Sequence, residues 1–216
     1  MSIKTTADGS KTVFSETFQE CYHSINGAVT ESMHVFIDAG YRACDKDSIS
    51  IFEVGFGTGL NAYLTYLEAK KHNIGVNYHA IEMFPLEDFL IAMLDYPEFL
   101  STDMDAFRVF HDSTWNKTVM VSSNFSFKKI KSDLLKIDFT EKYDLVYFDA
   151  FSPNQQPELW TEFVFKKLFD QMNSGGILTT YCAKGDVRRT LNKVGFTVER
   201  LPGPPGKHEM LRARKG

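Results

Sequence analysis

Ser48-Ile49-Ser50-Ile51-Phe52-Glu53-Val54-Gly55-Phe56-Gly57-Thr58-Gly59 is the stretch on which the fold turns. Its first half, Ser48 to Val54, is rich in β-branched and aromatic residues and stops at glycine, the pattern of a strand. Leu60 to Ala69 follows with apolar residues at helical spacing and no breaker. Strand, glycine turn and helix make the first half of a βαβ unit, and the glycines let the backbone turn tightly while a ligand approaches without meeting a Cβ. The spacing is G-x-G-x-G, not the G-x-G-x-x-G of nicotinamide and flavin sites.

Working outward, Val76 to Ile81 reads as a second strand ending at Glu82. Residues 86–125 make a long connection, with a helix expected over Leu86 to Leu94 and further pieces from Pro97 to Phe110, so this segment is expected to be an inserted helical cap. Phe125 to Ile130 is a third strand leading to Ser132-Asp133-Leu134. Tyr143 to Phe148, nearly all apolar, is a fourth, buried on both faces and stopping at Asp149. A helix from Pro157 to Met172 is expected to end at Ser174-Gly175-Gly176, before a fifth strand from Ile177 to Tyr181. A helix over Asp186 to Val194 leads to Phe196–Leu201, a Pro- and Gly-rich turn (Pro202 to Gly206) and Glu209–Arg214. The turn is too short for a crossover, so the last two strands pair antiparallel. The sum is an α/β chain with a mostly parallel seven-stranded sheet, an antiparallel C-terminal hairpin and a helical insertion. It resembles the class I, Rossmann-like methyltransferase fold. One domain, 1–216, is expected, with residues 1–47 as an N-terminal extension that caps the substrate and cofactor.

Composition bounds the function. With 216 residues, 43% hydrophobic, the chain can bury roughly two-thirds of its unfolded surface in one core. No window reaches the roughly 18 to 20 apolar residues of a membrane span, and the N-terminus carries no signal pattern, so no membrane partner and a cytoplasmic location are expected. Cys21, Cys44 and Cys182 have neither disulfide nor zinc spacing, the histidines show no ligand spacing, and no metal is assigned. The net charge of -4 conceals an asymmetry: nine Lys and Arg stand against three Asp and Glu from Lys184 to Gly216, and 15 against 25 elsewhere. A basic end on an acidic body suits a polyanion docking at one face, or is a solvated tail.

Chemistry gathers at the strand ends. Glu53, Glu82, Asp133 and Asp149 each end a successive strand, which places four carboxylates along the sheet edge where open α/β sheets bind ligands. Glu82 can accept from both hydroxyls of a ribose, and Asp133 or its neighbouring backbone can receive the exocyclic amine of adenine. Negative charge disfavours a pyrophosphate and suits a sulfonium and an ammonium, which favours S-adenosyl-L-methionine over NAD. Across the crevice lies Asp149-Ala150-Phe151-Ser152-Pro153, similar to the tetrapeptides with which amino methyltransferases hold a nitrogen about to attack. Phe151 can stack on a base or serve as a core aromatic.

GFGTGLN at Gly55–Asn61, FDAFSP at Phe148–Pro153, PELWT at Pro157–Thr161, TYCAKGDVRRTL at Thr180–Leu191, LPGPPGKHEMLRA at Leu201–Ala213 and YHSINGAVTES at Tyr22–Ser32 together resemble the methyltransferase domain of the tRNA 5-aminomethyl-2-thiouridine (wobble uridine) methyltransferase family, MnmC N-terminal-domain-like or MnmD. Cys182 departs from the serine expected there. The resemblance implies methylation of the primary amine of 5-aminomethyl-(2-thio)uridine in the anticodon stem-loop, giving 5-methylaminomethyl-(2-thio)uridine. It implies cofactor contacts from Glu53, Gly55, Phe56, Gly57, Thr58, Gly59, Asn61, Glu82, Met83, Asp133, Leu134 and Asp149. Asp149 is the group expected to receive the amine, by hydrogen bond or as proton acceptor, with Phe151 packing the uracil. Lys184, Arg188, Arg189, Lys207, Arg212 and Arg214 are candidates for tRNA phosphates, and Tyr22, His23 and Glu31 for closing over the site. Some family members continue into a flavin-dependent oxidase; no flavin fingerprint occurs here, so no fused oxidase and only the methylation half are expected. Two rival readings are a polyamine-synthase-like aminopropyl transferase and a catalytically silent tRNA-binding subunit.

Overall fold

The computed structural model describes all 216 residues. The chain opens with a three-stranded antiparallel sheet: β1 (Ser2–Thr5), β2 (Lys11–Ser15) and β3 (Glu20–Cys21). Asp8, in the first turn, accepts from Ser10 N at 2.9 Å and from Thr30 N and Oγ1 at 3.0 and 2.8 Å. Those bonds tie the small sheet to α1 (Ala28–Ser32), which continues through a π-helical turn at Met33–Asp38 and a 3-10 turn at Tyr41–Ala43.

The main sheet begins with β4 (Ser48–Val54), followed by α2 (Leu60–His72) and β5 (Gly75–Glu82). The long connection holds three short helices, α3 (Asp88–Ile91), α4 (Tyr96–Phe99) and α5 (Met104–Asp112). It then runs into β6 (Val119–Ser122), which pairs antiparallel with β7 (Phe125–Lys131). The insertion is therefore not wholly helical, and the sheet has eight strands rather than seven. β6 is four residues long with no alternation in its burial, so no periodic signal marks it.

After β8 (Tyr143–Phe148) come a 3-10 turn at Pro157–Leu159, α6 (Glu162–Asp170), β9 (Met172–Thr180), α7 (Gly185–Val194), β10 (Phe196–Pro202) and β11 (Glu209–Lys215). Ser174-Gly175-Gly176 does not end a helix. α6 stops at Asp170, and the glycines lie inside β9, where three residues of β8, Tyr143 to Leu145, face six of β9, Met172 to Ile177. Gly175 has φ +76°, so this is a bulge that needs glycine rather than a helix cap.

Strand order is β10-β11-β9-β8-β4-β5-β7-β6, with β7, β5, β4, β8 and β9 parallel and β11 antiparallel to β9. Ile49, Ile51, Tyr78, Phe125, Leu145 and Tyr147 face α2, α5 and the π-helical turn. Phe52, Val54, Val146, Phe148 and Leu211 face α6 and α7. Every residue of β8 is buried, as a strand covered on both faces requires. No helix is long and apolar enough to cross a membrane.

Candidate active site

A cavity of about 760 Å³ opens at the C-terminal ends of the parallel strands. Its floor is the turn after β4, where Gly55, Gly57 and Gly59 have φ of +88°, +50° and +73°. The turn is stitched to the neighbouring strand: Gly55 N and Phe56 N donate to Ile81 O at 3.0 and 3.1 Å, and Gly57 N donates to Glu82 Oε2 at 3.0 Å. Glu82 also accepts from Phe84 N at 2.8 Å. Burial raises its carboxyl above the usual range, and these backbone N–H groups act against that rise.

Thr58 anchors the loop to the rest of the protein. Its hydroxyl lies 3.4 Å from His23 Nε2 and accepts from Tyr96 Oη at 3.3 Å, while His111 Nε2 lies 3.1 Å from its carbonyl oxygen. Burial holds both His23 and His111 near a pKa of 4, so both are neutral at pH 7. The N-terminal segment and the insertion thus brace the same loop, a convergence of segments far apart in sequence.

Asp149, just beyond β8, faces the cavity. Its Oδ2 accepts from Asn61 Nδ2 at 2.8 Å. Burial, then the charge of Glu31, pushes its carboxyl up to about 7; Asn61 and Lys207 act in the opposite direction. The following peptide is held from several sides: Tyr181 Oη donates to Ala150 O at 2.9 Å, Trp160 Nε1 to Phe151 O at 2.8 Å, and Ser152 N to Glu20 Oε2 at 3.0 Å. The Phe151 ring stacks on Phe18 at 4.2 Å with 20° between planes, and Tyr22 meets its edge at 4.9 Å. One face of Phe151 is therefore covered by Phe18, and Phe151 contributes to an aromatic wall shared with both N-terminal rings rather than offering a free ring of its own.

Both ends of the chain meet over the cavity. Lys207, in the turn before β11, pairs with the buried Glu31 at 2.5 Å and sits 3.9 Å over the Tyr181 ring. His34 Nε2 lies 2.8 Å from Pro202 O. Phe18, Glu20 and Tyr181 had not been singled out from sequence. Nothing local marks Phe18 or Glu20, Tyr181 stands in the TYCAKGDVRRTL motif without any sign of its contact with Ala150, and the YHSINGAVTES motif at Tyr22–Ser32 is the sign that the N-terminus reaches the site.

Gly55, Phe56, Gly57, Thr58, Asn61, Glu82, Met83, Asp133, Leu134 and Asp149 all line the cavity with Phe151. Glu53 and Gly59 do not. Glu53 is fully buried behind Asp149 on the α2 face of β4, and Gly59 caps α2 against Phe56 and His111. Glu53 therefore lies one layer too deep for a cofactor contact, because β4 turns that side chain under α2.

The basic candidates scatter. Arg212 and Arg214 both pair with Glu199 across the terminal hairpin, at 2.6 and 3.4 Å, and Arg212 is only 20% exposed, so it is a packing residue and not a free phosphate ligand. Lys207 is committed to Glu31. Lys184, Arg188 and Arg189 lie on the first turns of α7 and its cap; Arg189 pairs with exposed Asp186, and Lys184 donates to Asn154 Oδ1 at 2.6 Å. Counting charge along the sequence missed these pairings, because strand partners and turns bring acids to the bases.

The residues fit S-adenosyl-L-methionine on steric and chemical grounds. A Cβ on Gly55 or Gly57 would intrude into the cradle, and Glu20, Glu31, Glu82, Asp133, Asp149 and Glu158 line a cavity whose one lysine is already paired. Such a lining attracts a sulfonium and an ammonium and repels a pyrophosphate. No group of three His, Cys, Asp or Glu is placed to hold a metal ion.

Comparison with known proteins places this geometry. Residues 106–216 match a family model described as S-adenosyl-L-methionine-dependent methyltransferase. The tRNA 5-methylaminomethyl-2-thiouridine biosynthesis bifunctional protein MnmC of Actinobacillus pleuropneumoniae is 29% identical over 96% of this chain and 34% of its own length. The chain thus spans about a third of that relative. A crystal structure of MNMC2 from Aquifex aeolicus superimposes with TM-score 0.80 at 28% identity, covering 99% of this chain and 69% of that one. A putative class I S-adenosylmethionine-dependent methyltransferase from Listeria monocytogenes shares the fold, with TM-score 0.52 at 13% identity over 89% of this chain and 62% of that one.

Proposed function

The chain belongs to the S-adenosyl-L-methionine-dependent methyltransferase family, and from that premise we propose that it methylates the primary amine of 5-aminomethyl-(2-thio)uridine at the wobble position of tRNA. The observation that carries this reading is the cavity that Asp149, at the end of β8 against the glycine turn, shares with the mutually packed rings of Phe18, Tyr22 and Phe151, where burial pushes the Asp149 carboxyl up to about 7.

When bound, S-adenosyl-L-methionine supplies an electrophilic methyl group on a sulfonium. The protein's work is then to select, orient and deprotonate the nucleophile. Glu82 and Asp133 suit the ribose and adenine ends of the cofactor. Asp149, once ionised, accepts a hydrogen bond or the proton of an acceptor amine, and Asn61 fixes the direction from which it does so. Phe18, Tyr22 and Phe151 supply apolar surface for a pyrimidine ring and exclude water. Because the lining is acidic, phosphates must stay outside it, and Lys184, Arg188 and Arg189, at the start of the helix that follows the cavity-lining Tyr181, are the groups suited to them. Residues 1–47 act as the cap of this site.

The aminopropyl-transferase reading accounts for the acidic lining and leaves the aromatic wall without a task. The test is methyl transfer from labelled S-adenosyl-L-methionine to tRNA carrying 5-aminomethyluridine, with unmodified tRNA and putrescine as parallel acceptors. Label in the modified tRNA alone supports the proposal; label in putrescine, or in no acceptor despite cofactor binding, removes it.

A further inference from the structure

Lys207 is the one lysine or arginine lining the cavity, and its ammonium group is engaged on two sides. On one side it pairs with Glu31 Oε1 at 2.5 Å; on the other it lies 3.9 Å over the face of Tyr181. Each partner carries the contact one step further. The buried Glu31 accepts from the backbone N–H of Ser24 through Oε2 at 2.7 Å, and Tyr181 Oη donates to Ala150 O at 2.9 Å. An unbroken line of contacts therefore runs from the N-terminal cap, through one side chain, to the residue after Asp149.

The turn that carries Lys207 is built to hold it there. Lys207 N donates to Pro204 O at 2.9 Å and Gly203 N to His208 O at 3.1 Å, and Pro202, Pro204 and Pro205 fix φ along the way. Gly206 has φ +84°, and a Cβ there would lie 1.9 Å from Asn26 Nδ2, so the turn is seated directly on the cap. The hairpin lies beside β9 with Leu211 opposite Thr180, which brings the turn alongside Tyr181. A buried carboxylate that loses its cation is left uncompensated and is drawn toward water, so Glu31 keeps its hold on Ser24 only while Lys207 is in place. A cation over an aromatic face is likewise held most firmly where water is excluded, and it fixes the ring beneath it. The two charges act on the Asp149 carboxyl in opposite senses, Glu31 raising it and Lys207 lowering it, so paired they leave no isolated charge beside it.

We propose that Lys207 is a positioning residue that clasps the N-terminal cap to the segment carrying Asp149: one arm holds Glu31 and through it Ser24, the other holds Tyr181 and through it the Ala150 carbonyl. Seating of the cap and alignment of the Asp149 segment are then a single event. The inference rests on the reading of Asp149 as the acceptor's group only for its kinetic consequence; the clasp stands without it.

Nuclear magnetic resonance on the purified protein reads the two arms atom by atom and needs no tRNA. Hydrogen exchange at the Ser24 amide reports the cap, and the carbonyl-carbon shift of Ala150 reports the bond from Tyr181. Glu31→Met is expected to speed exchange at Ser24 roughly tenfold and to leave the Ala150 shift in place, and Tyr181→Phe to move the Ala150 shift and leave Ser24 alone. Lys207→Ala is expected to do both, with its Ala150 shift moving toward that of Tyr181→Phe, and Lys207→Arg to keep both as in wild type. Movement of one arm only in Lys207→Ala overturns the proposal, and so does movement of both arms in Glu31→Met or in Tyr181→Phe. With tRNA carrying 5-aminomethyluridine, kcat/KM of Lys207→Ala falls roughly tenfold to a hundredfold and S-adenosyl-L-methionine affinity by less than about threefold, while Lys207→Arg recovers most of the loss. An unchanged kcat/KM in Lys207→Ala overturns the positioning role. If the wild type methylates no such tRNA, the substrate assignment fails and the two atomic readings still decide the clasp. Where Lys207→Ala does not fold, Lys207→Gln, which keeps the bulk and loses the charge, is read in its place.

Discussion

A Cβ placed on Gly55 would lie 2.6 Å from the carbonyl oxygen of Asp149. The glycine turn after β4 and the acid after β8 are thus in backbone contact, because their strands are parallel neighbours in register, Val54 beside Phe148. Whatever binds on one is set against the other.

Gly55→Ala is therefore expected to lose roughly 1–3 kcal/mol from its φ of +88° alone, more from the displaced strand end, and its cofactor affinity with it. Gly57→Ala is different in kind, since its Cβ would meet the Tyr22 ring at 2.9 Å. Adding Tyr22→Ala to Gly57→Ala should return part of the lost S-adenosyl-L-methionine affinity, read by calorimetry, whereas no side-chain truncation relieves Gly55→Ala. Equal rescue of both would refute the backbone-contact account.

Asp149→Asn is expected to lower kcat/KM by about 100-fold to 1,000-fold while S-adenosyl-L-methionine affinity changes by less than about threefold. A carboxyl near 7 is ionised above that pH, so the wild-type rate should rise with pH through about 7, and that limb should vanish in the variant. Parallel losses of turnover and cofactor affinity would move Asp149 to the cofactor.

Phe18→Ala removes the ring stacked on Phe151. The contact is worth about 0.5–1.5 kcal/mol beyond its area, so KM for tRNA should rise roughly twofold to tenfold with little change in cofactor affinity. An unchanged KM for tRNA would show that the N-terminal ring has no part in holding the acceptor.

Lys184→Ala and Arg188→Ala should each reduce the slope of log affinity against log salt for tRNA by about 0.7 to 0.9. Arg212→Ala should leave that slope alone and lower Tm, because Arg212 bonds Glu199 and the Ala39 carbonyl oxygen. A salt slope altered by Arg212→Ala and untouched by Lys184→Ala would reverse the assignment.

His23 and His111 are neutral in the folded protein down to about pH 4, while the unfolded chain takes up their protons near 6.5. A depressed folded pKa makes the unfolded state bind more protons between these values, so stability falls as pH drops from about 6.5 to 4. His111→Asn should flatten the fall of Tm over that window relative to wild type. The buried carboxylates Asp149 and Glu82 titrate in the opposite sense in both proteins and cancel in the comparison. A parallel fall in the two proteins would refute the role of His111.

Much of the architecture was written in local pattern. The strands at Ser48–Val54 and Tyr143–Phe148 announce themselves by composition and by what ends them, and a short turn can only return a strand antiparallel, so the two last strands had to pair in that sense. Asp149 was legible for the same reason: a residue that ends a buried parallel strand must emerge at the ligand-binding edge. β6 and the bulge at Gly175 were not, since four residues carry no period and a glycine pair reads equally as a helix stop.

By itself, the sequence determined the order of the parallel strands and the hairpin that follows them, the glycine turn and the acids at the strand ends, all consequences of short-range sterics and of periodicity along one segment. Tertiary structure alone decided that Glu53 is turned under α2 and away from the cavity, that Phe18 covers Phe151, and that Glu199 takes up Arg212 and Arg214. Those outcomes depend on which distant side chains share a space. Charge pairing and desolvation act across that space, and no spacing along the chain encodes them.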